Sequence, residues 1–265
     1  MVINKDMKTN EQYIYSTNYR DINASTIDSW CRAGWEWGKP VSHEVYALAK
    51  RGIWDVYLTP SKPVPHEWFG ELCGARVLGL ASGGGQQIPV FAALGSECTV
   101  LDYSEVQCAT EREVASREGY TAEIIRADMT ERLPFEDGSF DLIFYPVSNC
   151  YIEEAEPVFR ECYRVLRKGG RLLSGLDNGI NFILDPTQTR IVNKLPFNPL
   201  KDEALYERSI RAGEGIQFSH TAEEQIGGQL RAGFRLTDLY EDTDREGFLH
   251  DYNIPQYLAT LSIKP

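Results

Sequence analysis

The chain's 265 residues, 42% hydrophobic and 25% charged, are enough for one large α/β domain or two small ones, and no stretch approaches the roughly 18 apolar residues of a bilayer span, so no membrane partner is expected. A formal net charge of −12 makes the average surface repel phosphate backbones, which argues against nucleic acid as a partner. The opening MVINKDMKTNEQY lacks the apolar core of a signal peptide, and Cys31, Cys73, Cys98, Cys108, Cys150 and Cys162 show no CxxC spacing, so a cytoplasmic setting with free thiols and no metal is expected.

Residues 1–70 are rich in aromatic and polar side chains and read as an N-terminal helical cover on a domain formed by residues 71–265. Helices are expected over Ala24–Arg32 and over His43–Arg51, the second capped by Ser42. Pro40, Pro60, Pro63 and Pro65 prevent the cover from being one continuous helix. Trp30, Trp35 and Trp37 flank Glu36 and serve either as an aromatic wall for a ligand or as a hydrophobic anchor for the cover.

From Arg76 onward, short apolar runs alternate with helical patterns, the signature of βα units that build a parallel sheet. Strands are expected at Arg76–Leu80, at Glu97–Leu101 ending on Asp102, at Ala122–Arg126 and at Phe140–Tyr145. Helices are expected at Gln87–Leu94 and Ser104–Glu118. Val158, Phe159, Cys162, Val165 and Leu166 share one helical stripe, which Gly169-Gly170 is expected to stop before a strand at Arg171–Leu176. Arg160, Arg164, Arg167, Lys168 and Arg171 are the main basic cluster and read as cations at the negative end of that helix. Residues from about 177 to 219 lack periodicity and read as an insert on the substrate side. A helix at Thr221–Ala232, stopped by Gly233, and strands at Phe234–Tyr240 and Tyr257–Ile263 complete seven strands.

The loop after the first strand, VLGLASGGG, places glycines where a ligand needs close approach to backbone. Asp102 ends the second strand 19 residues after Gly83, the position from which a carboxylate reaches ribose hydroxyls in nucleotide-binding α/β folds. Asp128, directly after the third strand, brings a second carboxylate to the same sheet edge. From Gly79 the loop spacing is GxxxGxG, so the GxGxxG fingerprint of a dinucleotide dehydrogenase is absent.

The series VLGLASGGG, TVLDYS, RADMTERLPFEDGSFDLIF and ECYRVLRKGGRLL, with the tail FSHTAEEQIGGQLRAGF, resembles the class I S-adenosylmethionine-dependent methyltransferases of the type 11-like branch, which includes quinone-pathway enzymes. The resemblance implies an α/β fold: a Rossmann-like, mostly parallel sheet of seven strands with helices on both faces and the last strand antiparallel. It also implies S-adenosyl-L-methionine as cofactor, lying across the strand tips. Carried onto this chain, it implies that Gly79, Ala81, Ser82, Gly83 and Gly85 line the methionine end and that Asp102 holds the ribose diol. Tyr103 and Ser104 then stand beside it with Tyr103 on the adenine, Asp128 and Met129 meet the adenine amino group and ring, and Pro146, Val147 and Ser148 floor the methyl. The motif departs twice from the family pattern, with Gly79 in place of its acid and Ala81 in place of its first glycine.

The expected function is methyl transfer to a small-molecule acceptor, the alternative being a non-catalytic S-adenosylmethionine-binding or scaffold protein of the same fold. A hydroxyl or amine acceptor of high pKa needs a base, for which His220 and His43 are candidates, each with a structural role as the competing reading. Asn149, Tyr151, Trp35 and Asn178 are the expected acceptor contacts. The acceptor and the oligomeric state are not encoded in any motif of the chain.

Overall fold

The computed structural model describes the backbone from Lys5 to Pro265 and side chains from Tyr19 onward. Helix α1 (Lys5–Arg32) is followed by α2 (His43–Ala49), whose Ser42 cap accepts a hydrogen bond from the Val45 amide at 3.4 Å. Strands β1 (Arg76–Leu80), β2 (Glu97–Asp102), β3 (Ala122–Arg126) and β4 (Phe140–Tyr145) alternate with α3 (Ile88–Ala93) and α4 (Glu105–Glu118). Helix α5 (Glu156–Val165) leads into β5 (Leu166–Asp177), and the segment after it carries α6 (Ile180–Ile183) and α7 (Glu203–Ala212). A wider π-turn, Glu223–Gly227, opens into α8 (Gly228–Ala232), then β6 (Arg235–Asp242), α9 (Phe248–Asp251) and β7 (Tyr257–Ile263).

The seven strands form one sheet in the order β3-β2-β1-β4-β5-β7-β6. Pairing is parallel from β3 through β5, and β7 inserts antiparallel between β5 and β6. Strand order reverses direction between β1 and β4, which opens a crevice at their carboxyl ends. Both faces of β1 are covered, because its side chains alternate between two apolar cores. Val77 joins Val100, Phe91 and Phe144 on one face; Leu78 and Leu80 join Leu101, Ile143 and Phe159 on the other. Ala49, Val56, Leu58, Val64, Trp68 and Phe69 belong to the first of these cores, so the segment before β1 is packed against the sheet as closely as the helices are.

Several elements differ from the sequence-based expectation. Helix α1 starts at Lys5 rather than Ala24. Helix α5 ends at Val165, and Gly169-Gly170, expected to stop it, lie inside the longer β5, where Gly169 has φ +74° and its amide bonds to the Lys264 carbonyl at 2.7 Å. The aperiodic insert contains two helices, the second capped by Asp202 and ended by Gly213 at φ +68°. The four arginines of the basic cluster are engaged internally: Arg160 on Glu156, Arg164 on Glu161 and Asp137, Arg167 on Asp141, and Arg171 on the Glu67 and Trp68 carbonyls. All six cysteines are unpaired: Cys98, Cys108, Cys150 and Cys162 are buried, Cys31 is half-buried and Cys73 is exposed.

Candidate functional site at the strand tips

The loop leaving β1 is bent back over α4. Ala81, Gly83 and Gly85 have φ of +45°, +74° and +75°, and a Cβ on Gly84 would overlap the Gln107 carbonyl oxygen. Two carboxylates hold this bend. The Gly83 amide donates to Asp102 at 3.1 Å, and the Gly85 amide donates to Glu111, a fully buried residue of α4, at 2.5 Å. Burial pushes the Glu111 carboxyl up, while hydrogen bonds from the Tyr120 hydroxyl and the Gly85 amide pull it back. Asp102 also accepts from the Ser104 amide at 2.9 Å. Its carboxyl is pushed up to about 6, chiefly by burial, against the opposing amide hydrogen bonds, and the Asp28 carboxylate adds to the rise.

Helix α1 crosses over these tips and is fastened to each. Asp28 accepts from the Ser104 hydroxyl at 2.5 Å and the Val106 amide at 3.2 Å, and Asp21 accepts from the Tyr103 hydroxyl at 2.8 Å. Arg20 pairs with Asp128 at 3.1 Å and Glu131 at 3.0 Å, while the other Asp128 oxygen accepts from the Thr130 amide and hydroxyl. Asn23, buried, donates to the Ile216 carbonyl at 2.8 Å and accepts from its amide at 2.6 Å, and it also reaches the Tyr151 carbonyl at 3.2 Å. Tyr19 packs edge-on against Phe218 with ring centroids 5.1 Å apart. One helix thereby ties the glycine-loop side to the turn after β4 and to the end of the insert.

Beneath it lies a cavity of about 1090 Å³. Of the residues singled out from sequence, Ala81, Ser82, Gly83, Asp102, Tyr103, Ser104, Asp128, Met129, Pro146, Val147, Ser148, Tyr151 and Trp35 line it. Six do not. Gly79 sits within β1 against Ser82 and Ile88, where a Cβ has no room, and Gly85 is enclosed by Val114 and Pro40. Asn149 is fully buried and clamps β5, donating to the Asp177 carbonyl at 3.2 Å and accepting from the Asp177 amide at 2.9 Å. Asn178 donates to the Pro255 carbonyl at 2.8 Å. His220 is buried away from the cavity, with Nε2 at 2.9 and 3.0 Å from the Asn149 and Ile152 carbonyls, and burial holds its pKa below the ordinary value. His43 lies on the surface, with Nδ1 2.7 Å from a Glu118 oxygen. Neither histidine therefore stands where it can take a proton from a molecule in the cavity.

The wall also contains residues that sequence reasoning passed over: Gln87, Gln107, Asp177, Phe182, Arg245 and Tyr257. Asp177 and Tyr257 face one another across β5 and β7, a pairing that no local pattern announces. Glu111 and Asp28 were equally silent, because an acidic residue inside a polar helix reads as solvated until the fold covers it.

Comparison with known proteins adds four likenesses. Residues 78–174 match the model of a methyltransferase domain. An uncharacterized methyltransferase of Bacillus subtilis, YbaJ, is 40% identical over 249 residues, covering 91% of this chain and 97% of its own length. A demethylmenaquinone methyltransferase of Clavibacter sepedonicus is 32% identical over 102 residues, only 38% of this chain and 41% of that protein. In architecture the chain is similar to the crystal structure of an S-adenosylmethionine-dependent methyltransferase from Mesorhizobium loti, at a TM-score of 0.60 and 19% identity over 74% of this chain and 94% of that one.

Proposed function

The chain belongs to the class I S-adenosylmethionine-dependent methyltransferases, and from that membership we propose that it methylates a small-molecule acceptor held in the cavity at its strand tips. The carrying observation is that one continuous cavity of about 1090 Å³ is walled both by the glycine loop with Asp102 and by Phe182 of the insert and Tyr257 of β7. Pockets for a single drug-sized ligand run to about 300–1,000 Å³, so this space stands at the large end of that range.

The wall at the glycine-loop end fits the cofactor. The buried side-chain oxygens of Ser82, Gln87 and Gln107 have no partner in the protein, and all three residues line the cavity. When bound, S-adenosylmethionine supplies a methyl group already activated on a sulfonium. In our reading Asp102 accepts from the ribose hydroxyls through lone pairs left free by its two amide donors. Tyr103, Ser104, Asp128 and Met129 border the adenine, Ala81 to Gly83 border the methionine end, and Pro146 to Ser148 lie under the reacting centre. The N-terminal segment and the 177–219 insert act as covers that exclude water and orient the acceptor, which is where a positioning enzyme gains most of its rate.

Six unpaired cysteines support a reducing, cytoplasmic setting. Net charge of −12 and the internal ion pairs of Arg160, Arg164 and Arg167 support a small molecule rather than nucleic acid as acceptor. Calorimetry with S-adenosylhomocysteine tests the cofactor end, and Asp102→Ala is expected to weaken that binding at least tenfold, as loss of a bonded buried carboxylate does. Release of S-adenosylhomocysteine across a panel of small acceptors tests the rest. Unchanged affinity in the variant removes Asp102 from the site, and turnover confined to RNA or protein overturns the small-molecule reading.

A further inference from the structure

The far end of the cavity holds a carboxylate for which cofactor binding has no use. Asp177, the last residue of β5, is 6% exposed and lines the cavity wall. Two donors reach it, the Gly179 amide at 2.6 Å on Oδ1 and the Asn181 side chain at 3.2 Å on Oδ2. The titratable groups facing it are Cys150 and Tyr151 from the turn after β4, Tyr257 from β7, and Asp244 behind Tyr257. The Tyr257 hydroxyl donates to Asp244 at 3.1 Å and so does not serve Asp177. Among the described residues no lysine, arginine or histidine forms an ion pair with Asp177. The cations in the cavity wall are committed or distant: Arg20 is bound to Asp128, Arg245 to Glu36 at 2.6 Å, and Lys39 precedes Pro40, which packs on Gly85 at the glycine-loop side.

A carboxylate has about four acceptor sites, so two donors leave room for a ligand. Burial pushes this carboxyl up to about 6, which still leaves it mostly ionised at neutral pH. A desolvated negative charge without a counter-charge favours a cation in the adjoining space and disfavours an anion. The neighbouring wall is aromatic, with Tyr151, Phe182 and Tyr257, and ring faces attract ammonium groups as well as hydrocarbon.

We propose that the acceptor of this methyltransferase carries an ammonium group on an aromatic or apolar body, and that this group is anchored on the Asp177 carboxylate beside Tyr151, Phe182 and Tyr257 as a recognition handle and is not the atom methylated. The proposal rests on the cavity being the methyl-transfer site and deepens that reading. It concerns recognition and assigns no proton transfer to Asp177. The competing account is that Asp177 merely turns the chain from β5 into α6 through its bond to the Gly179 amide. Asp177→Asn separates the two, because an amide oxygen still accepts from Gly179 while the charge is gone.

The test titrates the full chain, saturated with S-adenosylhomocysteine at pH 8, with phenethylamine, 2-phenylethanol and 3-phenylpropanoate in a calorimeter. Phenethylamine is expected to bind at least tenfold more tightly than the alcohol, with the acid weakest. In Asp177→Asn the amine and alcohol converge to within about twofold while S-adenosylhomocysteine affinity stays as it was. No saturable binding of the amine, equal binding of amine and alcohol, or a preference that persists in the variant overturns the proposal. If the variant does not fold, the wild-type preference decides alone. Failure of the cofactor reading would appear separately, as absence of heat on adding S-adenosylhomocysteine itself.

Discussion

Asp177 and Asp102 are two carboxylates of the same sheet edge whose acidity is set by opposing forces, burial raising the pKa and amide donors lowering it. For Asp177 the balance has a measurable consequence in the ligand-free protein. Its folded pKa of about 6 lies above the ordinary 3.8, so the folded state prefers the protonated form. Wild-type stability from this group is fully present below about pH 4 and is lost as the pH rises through 6. Asp177→Asn escapes that loss, and the variant is expected to gain on wild type between pH 4 and pH 8, by up to about 3 kcal/mol at roughly 1.4 kcal/mol per pKa unit. Urea unfolding at the two pH values measures it, and a difference independent of pH would refute the assigned titration. At this scale Asp102 was legible and Asp177 was not. A fixed spacing from a glycine loop marks the first, whereas the second ends an ordinary apolar strand and becomes notable only once Tyr257 and the insert cover it. The histidines misled for the opposite reason: His220 precedes a helix near the strand tips, yet its ring is consumed by two carbonyls.

Helix α1 shows what hydrophobic periodicity cannot detect. Sequence reading gave only its last turns, because the helix as a whole is polar; Tyr19 and Ile22 pack on Ile216 and Phe218, and Arg20, Asp21, Asn23 and Asp28 add hydrogen bonds and ion pairs. Asn23 is the most consequential of these, since it satisfies both backbone groups of Ile216, itself fully buried. Asn23→Ala should leave an amide and two carbonyls without their partner and cost about 2 kcal/mol. Hydrogen exchange is expected to accelerate over residues 214–218 well beyond the global change. Uniform protection across that segment would mean that α1 does not anchor the insert. The early start of β5 illustrates a related limit: two adjacent glycines ordinarily stop a helix, but here they lie within a strand, and the Gly169 amide is claimed by the Lys264 carbonyl.

Across the whole molecule, the arrangement of strands follows from alternating βα segments, and the site follows from where strand order reverses. That part was readable because both strand periodicity and the glycine loop are local signals. The rest of the cavity wall was readable only in part: Trp35 and Tyr151 were named from sequence, whereas Asp177, Phe182 and Tyr257 were not, since the wall draws on α1, the turn after β4, the insert and β7, which meet only in three dimensions. A ligand that binds the folded chain and not the unfolded one stabilises the fold by mass action. S-adenosylhomocysteine at 100 times its Kd should add about 2.7 kcal/mol and raise Tm by roughly 5–10 °C in a chain of this size. Thermal unfolding with and without it checks this; a Tm that does not move would show that S-adenosylhomocysteine does not bind the folded chain.

Cys73 stands just before β1, at the amino end of the strand whose carboxyl end feeds the glycine loop, and it is the one exposed cysteine. The half-buried Cys31 is slowed by a thiol pKa pushed up to about 11. A maleimide dye should therefore label the native chain at a single point, a strand's length from any bound molecule. The unaltered protein thus carries a ready-made handle for fluorescence reporting.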